Sequence, residues 1–215
     1  GGGVPQDYEK AVFWWQKAAD QGYVTAESVL GVVYARGEGA PQDRVKAVFW
    51  YQKAADQGDA KAQTALGVAY HDGGGVPQDY EKAVFWWQKA ADQGYVAAES
   101  ILGVVYARGE GVPQDRVKAV FWYQKAADQG DAAAQYALGN AYYQGKDVPQ
   151  DYEKAVFWWQ KAANQGLAAA GYNLGVAYLK GQGVAQDKGI ARSWFQQSAD
   201  KGNAKAKEAL QKLFR

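Results

Sequence analysis

Between Tyr8 and Asp20 the apolar residues Ala11, Trp14, Trp15, Ala18 and Ala19 recur three and four positions apart, the spacing of one face of an α-helix. Asp7 stands where an N-cap accepts backbone N–H groups, Pro5 stiffens the approach, and Gln21-Gly22 supplies the stop. A second run, Val24 to Arg36, puts Ala26, Val29, Leu30, Val33 and Tyr34 on one face and is stopped by Gly37. The first is helix B and the second helix A. At about 13 residues each spans roughly 20 Å, and neither can bury its apolar stripe alone.

The pattern then repeats. V-P-Q-D or a close variant starts at Val4, Ala40, Val76, Val112, Val148 and Val184, each 36 residues after the last. A Leu-Gly pair keeps the same step, with its glycine at Gly31, Gly67, Gly103, Gly139 and Gly175. A fixed period of this length predicts an all-α solenoid of 36-residue helix-turn-helix repeats, in which each repeat buries its stripe against its neighbours. Glycine inside a helix costs about 1 kcal/mol against alanine. Five at one position therefore predict close helix–helix approach, against the large indoles of helix B.

The residues A-x-x-x-L-G-x-x-Y-x-x-G-x-G-V-P-Q-D-x-x-K-A-x-x-W-Y-x-K-A-A-x-Q-G resemble the Sel-one-like repeat (SLR), a relative of the tetratricopeptide repeats found in bacteria and eukaryotes. Ala62 to Gly94 follows that pattern almost letter by letter. The resemblance implies a right-handed α-α superhelix over residues 1–215 and a scaffold or adaptor role. In that reading a lone helix B (7–20) precedes repeats 24–56, 60–92, 96–128, 132–164 and 168–200, and a capping helix (204–214) follows. The last unit departs from the pattern at Ala185, at Ser193-Trp194-Phe195 and at Gln211. Its polar residues Lys205, Lys207, Glu208, Gln211 and Lys212 predict a solvated outer face. A longer period overlies the first: residues 1–70 and 73–142 differ at six places only, as duplication or construction of a 72-residue pair would produce.

The 215 residues carry a net charge of +1, which provides no field to recruit nucleic acid or an anionic membrane. The absence of cysteine excludes disulfides, thiolate metal sites and a cysteine nucleophile, and leaves the compartment open. No apolar run reaches the roughly 18 residues that would insert into a bilayer. The opening Gly1-Gly2-Gly3-Val4 is neither an initiator methionine nor a signal peptide and reads as mid-repeat, the expectation for a piece of a longer protein.

Signals of catalysis are lacking. His71 is the only histidine, and it reads as a surface polar residue at a helix end. Gly139 to Asp147 has the wrong spacing and the wrong last residue for a phosphate loop. Asp7, Asp43, Asp79, Asp115, Asp151 and Asp187 read as helix caps. The loops Arg36-Gly37-Glu38-Gly39 and Arg108-Gly109-Glu110-Gly111 read as turns with solvated charges. The chain reads as no enzyme, with no cofactor and no metal.

Trp14, Trp50, Trp86, Trp122, Trp158 and Trp194 hold the core-facing position of helix B. Two surfaces remain for binding. One is the face of helix A opposite its core stripe: Ser28, Val32, Ala35 and Arg36 in the first copy, then Thr64, Val68, His71 and Asp72, then Ser100, Val104, Ala107 and Arg108. It ends in Tyr136, Asn140, Tyr143, Gln144 and in Tyr172, Val176, Leu179, Lys180. This face varies between copies while the core does not, as a ligand-specific groove or simple drift would. The other is the row Phe13, Phe49, Phe85, Phe121 and Phe157, which reads either as inter-repeat packing or as an exposed ridge.

The reading that follows is a protein- or peptide-binding scaffold using the concave helix-A surface. Its candidate residues are Tyr136, Asn140, Tyr143, Gln144, Tyr172, Leu179, Lys180 and His71. The alternatives are a cell-envelope carbohydrate or peptidoglycan binder using the same tyrosines, and an engineered scaffold with no natural ligand. Val12, Phe13 and Trp15, lacking an upstream helix A, predict weak self-association through the N-terminal edge.

Overall fold

A helix ends with carbonyls and begins with N–H groups that have no partner inside it. The last two letters of V-P-Q-D satisfy one of each. Gln42 donates from Nε2 to the Ala35 carbonyl (2.8 Å) at the end of one helix, and Asp43 accepts from the Lys46 N–H (3.0 Å) at the start of the next. Gln78-Asp79, Gln114-Asp115, Gln150-Asp151 and Gln186-Asp187 do the same. Gly73, at φ 69°, takes the left-handed conformation that turns the chain out of its helix.

The computed structural model of the protein describes residues 7–146 and 148–214. Val4, Pro5 and Asp147, used in the sequence reading, lie outside the described residues. Among those described there are twelve α-helices and no strand. They are α1 (Tyr8–Ala19), α2 (Val24–Arg36), α3 (Arg44–Asp56), α4 (Ala60–Asp72), α5 (Tyr80–Asp92), α6 (Val96–Arg108), α7 (Arg116–Asp128), α8 (Ala132–Gln144), α9 (Tyr152–Asn164), α10 (Ala168–Lys180), α11 (Lys188–Asp200) and α12 (Ala204–Leu213). Residues 1–114 form one compact unit and residues 115–215 a second. Odd-numbered helices are helix B and even-numbered ones helix A, and the architecture is an all-α solenoid.

In the first unit, Trp50 of α3 packs on Ala19, Ala26 and Leu30 of the preceding helix pair. Trp86 of α5 packs in the same way on the α3–α4 pair, against Tyr51, Ala62 and Leu66. The second unit has the buried Trp158, and Trp194 is half-buried against the cluster holding Trp159 and Leu174. Trp14 departs from the expected core role. It is 69% exposed against 7% for Trp86, because among the described residues no helix pair precedes α1 for its indole to enter.

The helix-A glycines make the expected close approach, to an indole at Gly67 and Gly139 and to the smaller rings of Tyr51 and Phe195 at Gly31 and Gly175. A Cβ on Gly67 would lie 2.4 Å from the Trp87 indole, one on Gly139 2.5 Å from Trp159, and one on Gly175 2.7 Å from Phe195. The ring involved is the one after the Trp50/Trp86 row, so adjacent aromatics on helix B serve two interfaces.

A second buried row was not evident in the sequence. Glu27, Gln63 and Gln135 are almost wholly buried in helix A. Each accepts from a glutamine at the end of the following helix B: Gln57 (2.6 Å), Gln93 (2.8 Å) and Gln165 (2.9 Å). This satisfies their desolvation and fixes the register of each helix pair. At the C-terminus α12 buries Ala206 and exposes Lys205, Lys207, Glu208, Gln211 and Lys212.

Candidate functional site

In the second unit, Tyr136, Asn140, Tyr143 and Gln144 lie on one face of α8 at i, i+4, i+7 and i+8. They line a cleft of about 330 Å³ together with Trp159 of α9 and Tyr172, Asn173 and Val176 of α10. Trp159 reaches the cleft because Gly139 leaves room for its indole. Its Nε1–H then donates to Asn140 Oδ1 at 3.0 Å. Asn173 Nδ2 donates to the same oxygen, also at 3.0 Å. The Asn140 amide N–H groups and the Asn173 carbonyl oxygen have no partner among the described residues, so the floor offers one donor group beside one acceptor.

Tyr143 forms one wall. Its ring centroid is 5.3 Å from those of Tyr152 and Trp159, and its hydroxyl donates to Gln182 Oε1 at 3.1 Å. Tyr136 and Tyr172 are half-buried, with Tyr172 set against Phe195. The lining holds no carboxylate, imidazole or ammonium group. It can stack against a ligand and hydrogen-bond to it, and it has no acid–base pair with which to move a proton.

Five of the eight residues singled out in the sequence therefore meet in one cleft: Tyr136, Asn140, Tyr143, Gln144 and Tyr172. Leu179 and Lys180 do not line it. Leu179 is half-buried against the α11–α12 cluster, and Lys180 is exposed at the end of α10. Val176, which the sequence placed on the same helix-A face, also lines the cleft, and Trp159 and Asn173 complete it without having been placed on that face. Asn173 was legible: it replaces Val29, Ala65, Ile101 and Ala137 of the other copies, a polar residue in an apolar register. Trp159 was not: like Trp87 it is 3% exposed and part of the core, and it meets the cleft through its Nε1–H on Asn140.

His71 belongs to the first unit and to a different arrangement. Its Nδ1 is 2.6 Å from Asp72 Oδ1, its Nε2 is 3.3 Å from Glu110 Oε2, and its ring lies against Tyr80 and Trp87. The hydrogen bond with Asp72 raises its pKa above the ordinary histidine value; burial opposes the rise and Glu110 adds to it. Neither His71 nor Glu110 is thus a free surface group, contrary to the sequence reading, since Glu110 also meets Arg108 at 3.4 Å. His71 and Tyr143 hold the same repeat position, and each reaches a residue 39 positions ahead, Glu110 or Gln182. Both act as staples between successive repeats. Among the described residues no cluster of three His, Cys, Asp or Glu could hold a metal ion.

The first unit carries further clefts on its helix-A side, two of which contrast with the cleft of the second unit. One, of about 340 Å³, is walled by Val12, Trp15, Val29, Val32 and Val33. The other, of about 530 Å³, includes Ser28, Tyr51, Asp59, Lys61 and Tyr95.

The Sel1 repeat family matches residues 1–23, 24–59, 60–95, 96–131, 132–167 and 168–203. The chain belongs to the Sel1 repeat family. Members are generally protein-interaction scaffolds and typically non-catalytic. Among solved structures, this Sel1 repeat chain is similar to c5321, described as a protective antigen of uropathogenic Escherichia coli with an SLR fold. The identity is 37% and the TM-score 0.94, over 98% of this chain and 46% of that one. It is also similar to a Sel1 repeat protein from Oxalobacter formigenes, with 41% identity and a TM-score of 0.89 over 99% and 62% of the two chains. The Sel1 repeat chain thus spans 46% and 62% of the lengths of these two relatives. No curated protein matches it. Among the described residues no helix is long and apolar enough to cross a membrane.

Proposed function

We propose that this Sel1 repeat chain is a non-enzymatic scaffold that binds an uncharged stretch of extended peptide in the helix-A cleft of its second unit. The observation that carries the reading is the floor of that cleft. A donor on Asn140 beside an acceptor on Asn173 matches the N–H and C=O of a peptide group, and the half-buried rings of Tyr136 and Tyr172 flank it. Tyrosine supplies large contact area at low entropic cost, which suits it to anchor a partner. A glycan would also stack on these rings, so the same measurement must offer both ligands. A displayed peptide library and a glycan array are screened with the native chain and with Tyr136→Ala. Peptides that bind the native chain and lose at least roughly tenfold on Tyr136→Ala, about 1.4 kcal/mol, support the reading. Glycan binding without peptide binding overturns it.

Self-association through the N-terminal edge is part of the same proposal. Phe13 and Trp14 are 54% and 69% exposed and Trp15 38%, an apolar ring surface at the first described helix that supports this reading. Trp15→Gln should lower any concentration-dependent increase in mass seen by sedimentation; an unchanged profile discards the edge.

A further inference from the structure

The two 72-residue copies differ at six positions, and five of these lie on helix A: Thr25/Ala97, Val29/Ile101, Lys61/Ala133, Thr64/Tyr136 and Val68/Asn140. Drift would strike every exposed side chain alike. Helix B is exposed too: in its phenylalanine row Phe13, Phe49, Phe85, Phe121 and Phe157 are 51% to 54% accessible, and inter-repeat packing does not cover them. Yet no residue of helix B differs between the copies, Phe13 matching Phe85 and Phe49 matching Phe121. Each of the five helix-A differences instead has one member in a cleft. Tyr136 and Asn140 line the cleft of the second unit, and Thr25, Val29 and Lys61 line the cleft of about 530 Å³ in the first. Substitution confined to two clefts is the pattern expected of a duplicated site whose two versions take different ligands.

The two versions differ in charge. The lining of the second-unit cleft holds no charged group. In the first unit α2 supplies Thr25, Ser28, Val29 and Val32, and α4 supplies Lys61 and Ala65. Lys61 is exposed and has no ion-pair partner among the described residues. Asp59 lines the same cleft but is already engaged: its Oδ1 accepts the Ala62 N–H at 2.6 Å and the Ser28 hydroxyl at 3.2 Å. The cleft thus offers an ammonium group and the Thr25 hydroxyl beside the half-buried Val29, Val32 and Ala65. Both polar groups can donate to a carboxylate, and the apolar side chains can cover an apolar neighbour. A doubly charged phosphate fits less well, because its second charge would face the Asp59 carboxylate. In the second copy the counterparts of Thr25 and Lys61 are Ala97 and Ala133, which can do neither.

We propose that this cleft of the first unit is a second binding site whose occupant is an acidic peptide segment. An aspartate or glutamate side chain meets Lys61 and Thr25, and an apolar side chain beside it meets Val29, Val32 and Ala65. The site goes beyond the neutral-peptide reading of the second unit and does not depend on it, since the two clefts share no residue.

Synthetic peptides with blocked ends and randomised positions are screened against the full chain carrying Tyr136→Ala, which removes a ring from the second cleft, with circular dichroism checking that each variant is folded. Bound peptides should carry aspartate or glutamate beside an apolar residue. Replacing that acid by its amide in a selected peptide should weaken binding about fivefold, the upper reach of an exposed ion pair, and the preference for the acid should fade with added salt. Lys61→Ala in the same background should also cost about fivefold. The amide peptide on Lys61→Ala should lose no more than either change alone, because the two changes remove one contact from its two sides. Lys205→Ala, an exposed lysine of α12, should leave binding intact. No bound peptide, a selected set without acidic preference, an unchanged affinity on Lys61→Ala, losses that multiply, or a phosphopeptide that binds more tightly than its glutamate counterpart would each overturn the proposal.

Discussion

Helix propensity and packing make opposite predictions for Gly67→Ala. On propensity alone the substitution should stabilise α4 by about 1 kcal/mol, because alanine spends less backbone entropy than glycine in a helix interior. The structure reverses the sign. The new methyl would lie 2.4 Å from Trp87 Nε1 and 2.6 Å from its Cδ1, well inside van der Waals contact. The indole cannot swing aside, because it is 3% exposed and its Nε1–H donates to the Thr64 carbonyl at 3.2 Å. Overpacking of a rigid core typically costs about 1–3 kcal/mol, and loss of the buried hydrogen bond adds about 1 kcal/mol. Together these exceed the propensity gain, so Gly67→Ala should destabilise the chain by about 1–3 kcal/mol net. Gly171→Ala is the internal control. It also lies in a helix A, but its Cβ would meet Ser198 and Trp194 at 3.5–3.8 Å, ordinary contact distances. There the propensity gain should survive as a stabilisation of about 0.5–1 kcal/mol. Urea unfolding of the two variants beside the native chain reads both. Stabilisation by Gly67→Ala would show that α4 and α5 can separate freely and would refute the close-approach account of the Leu-Gly pair.

Trp86→Ala should cost about 3–5 kcal/mol, while Trp14→Ala should shift stability by no more than about 0.5 kcal/mol; equal effects in calorimetry would contradict the burial difference between the two indoles. The His71 pKa is raised in the folded chain, so its contribution to stability is fully present below the ordinary histidine pKa and is lost as pH rises through the higher folded value. The native urea midpoint should therefore fall, relative to that of His71→Gln, as pH rises from about 6 to about 8; parallel pH profiles would show that the staple to Glu110 carries no stability. Tyr143→Phe keeps the cleft wall and removes only the bond to Gln182, so peptide affinity should hold while the second unit loses a little stability; a large loss of affinity would instead place the hydroxyl in contact with the ligand.

The solenoid was legible because its determinants are local and recur: the aspartate caps, the stop glycines and the apolar stripes repeat at a fixed step, and each acts within a turn or two of chain. The glycine–aromatic contact was legible for a related reason, since five unfavourable helix glycines at one position demand a packing partner. Trp14 was misread because burial depends on the neighbouring repeat, and sequence period alone treats an end unit like a middle one. His71 and Glu110 were read as solvated because their meeting spans 39 residues, and a lone histidine gives no hint of a partner that far along the chain. The cleft was half legible. Variation along helix A pointed to Tyr136, Asn140, Tyr143, Gln144 and Tyr172, but the same pattern carried on to Leu179 and Lys180, where α10 has already passed the cleft.

The chain contains four asparagines, of which Asn140 and Asn173 form the floor of the cleft and Asn164 and Asn203 lie elsewhere. Selective ¹⁵N labelling of asparagine reduces the side-chain amide spectrum to these four pairs, each a direct reporter. On titration with a library-selected peptide, the Asn140 and Asn173 amide signals should shift and saturate together while those of Asn164 and Asn203 stay in place. Saturable binding that leaves Asn140 and Asn173 unmoved would contradict the central claim that this Sel1 repeat chain takes its ligand in the helix-A cleft.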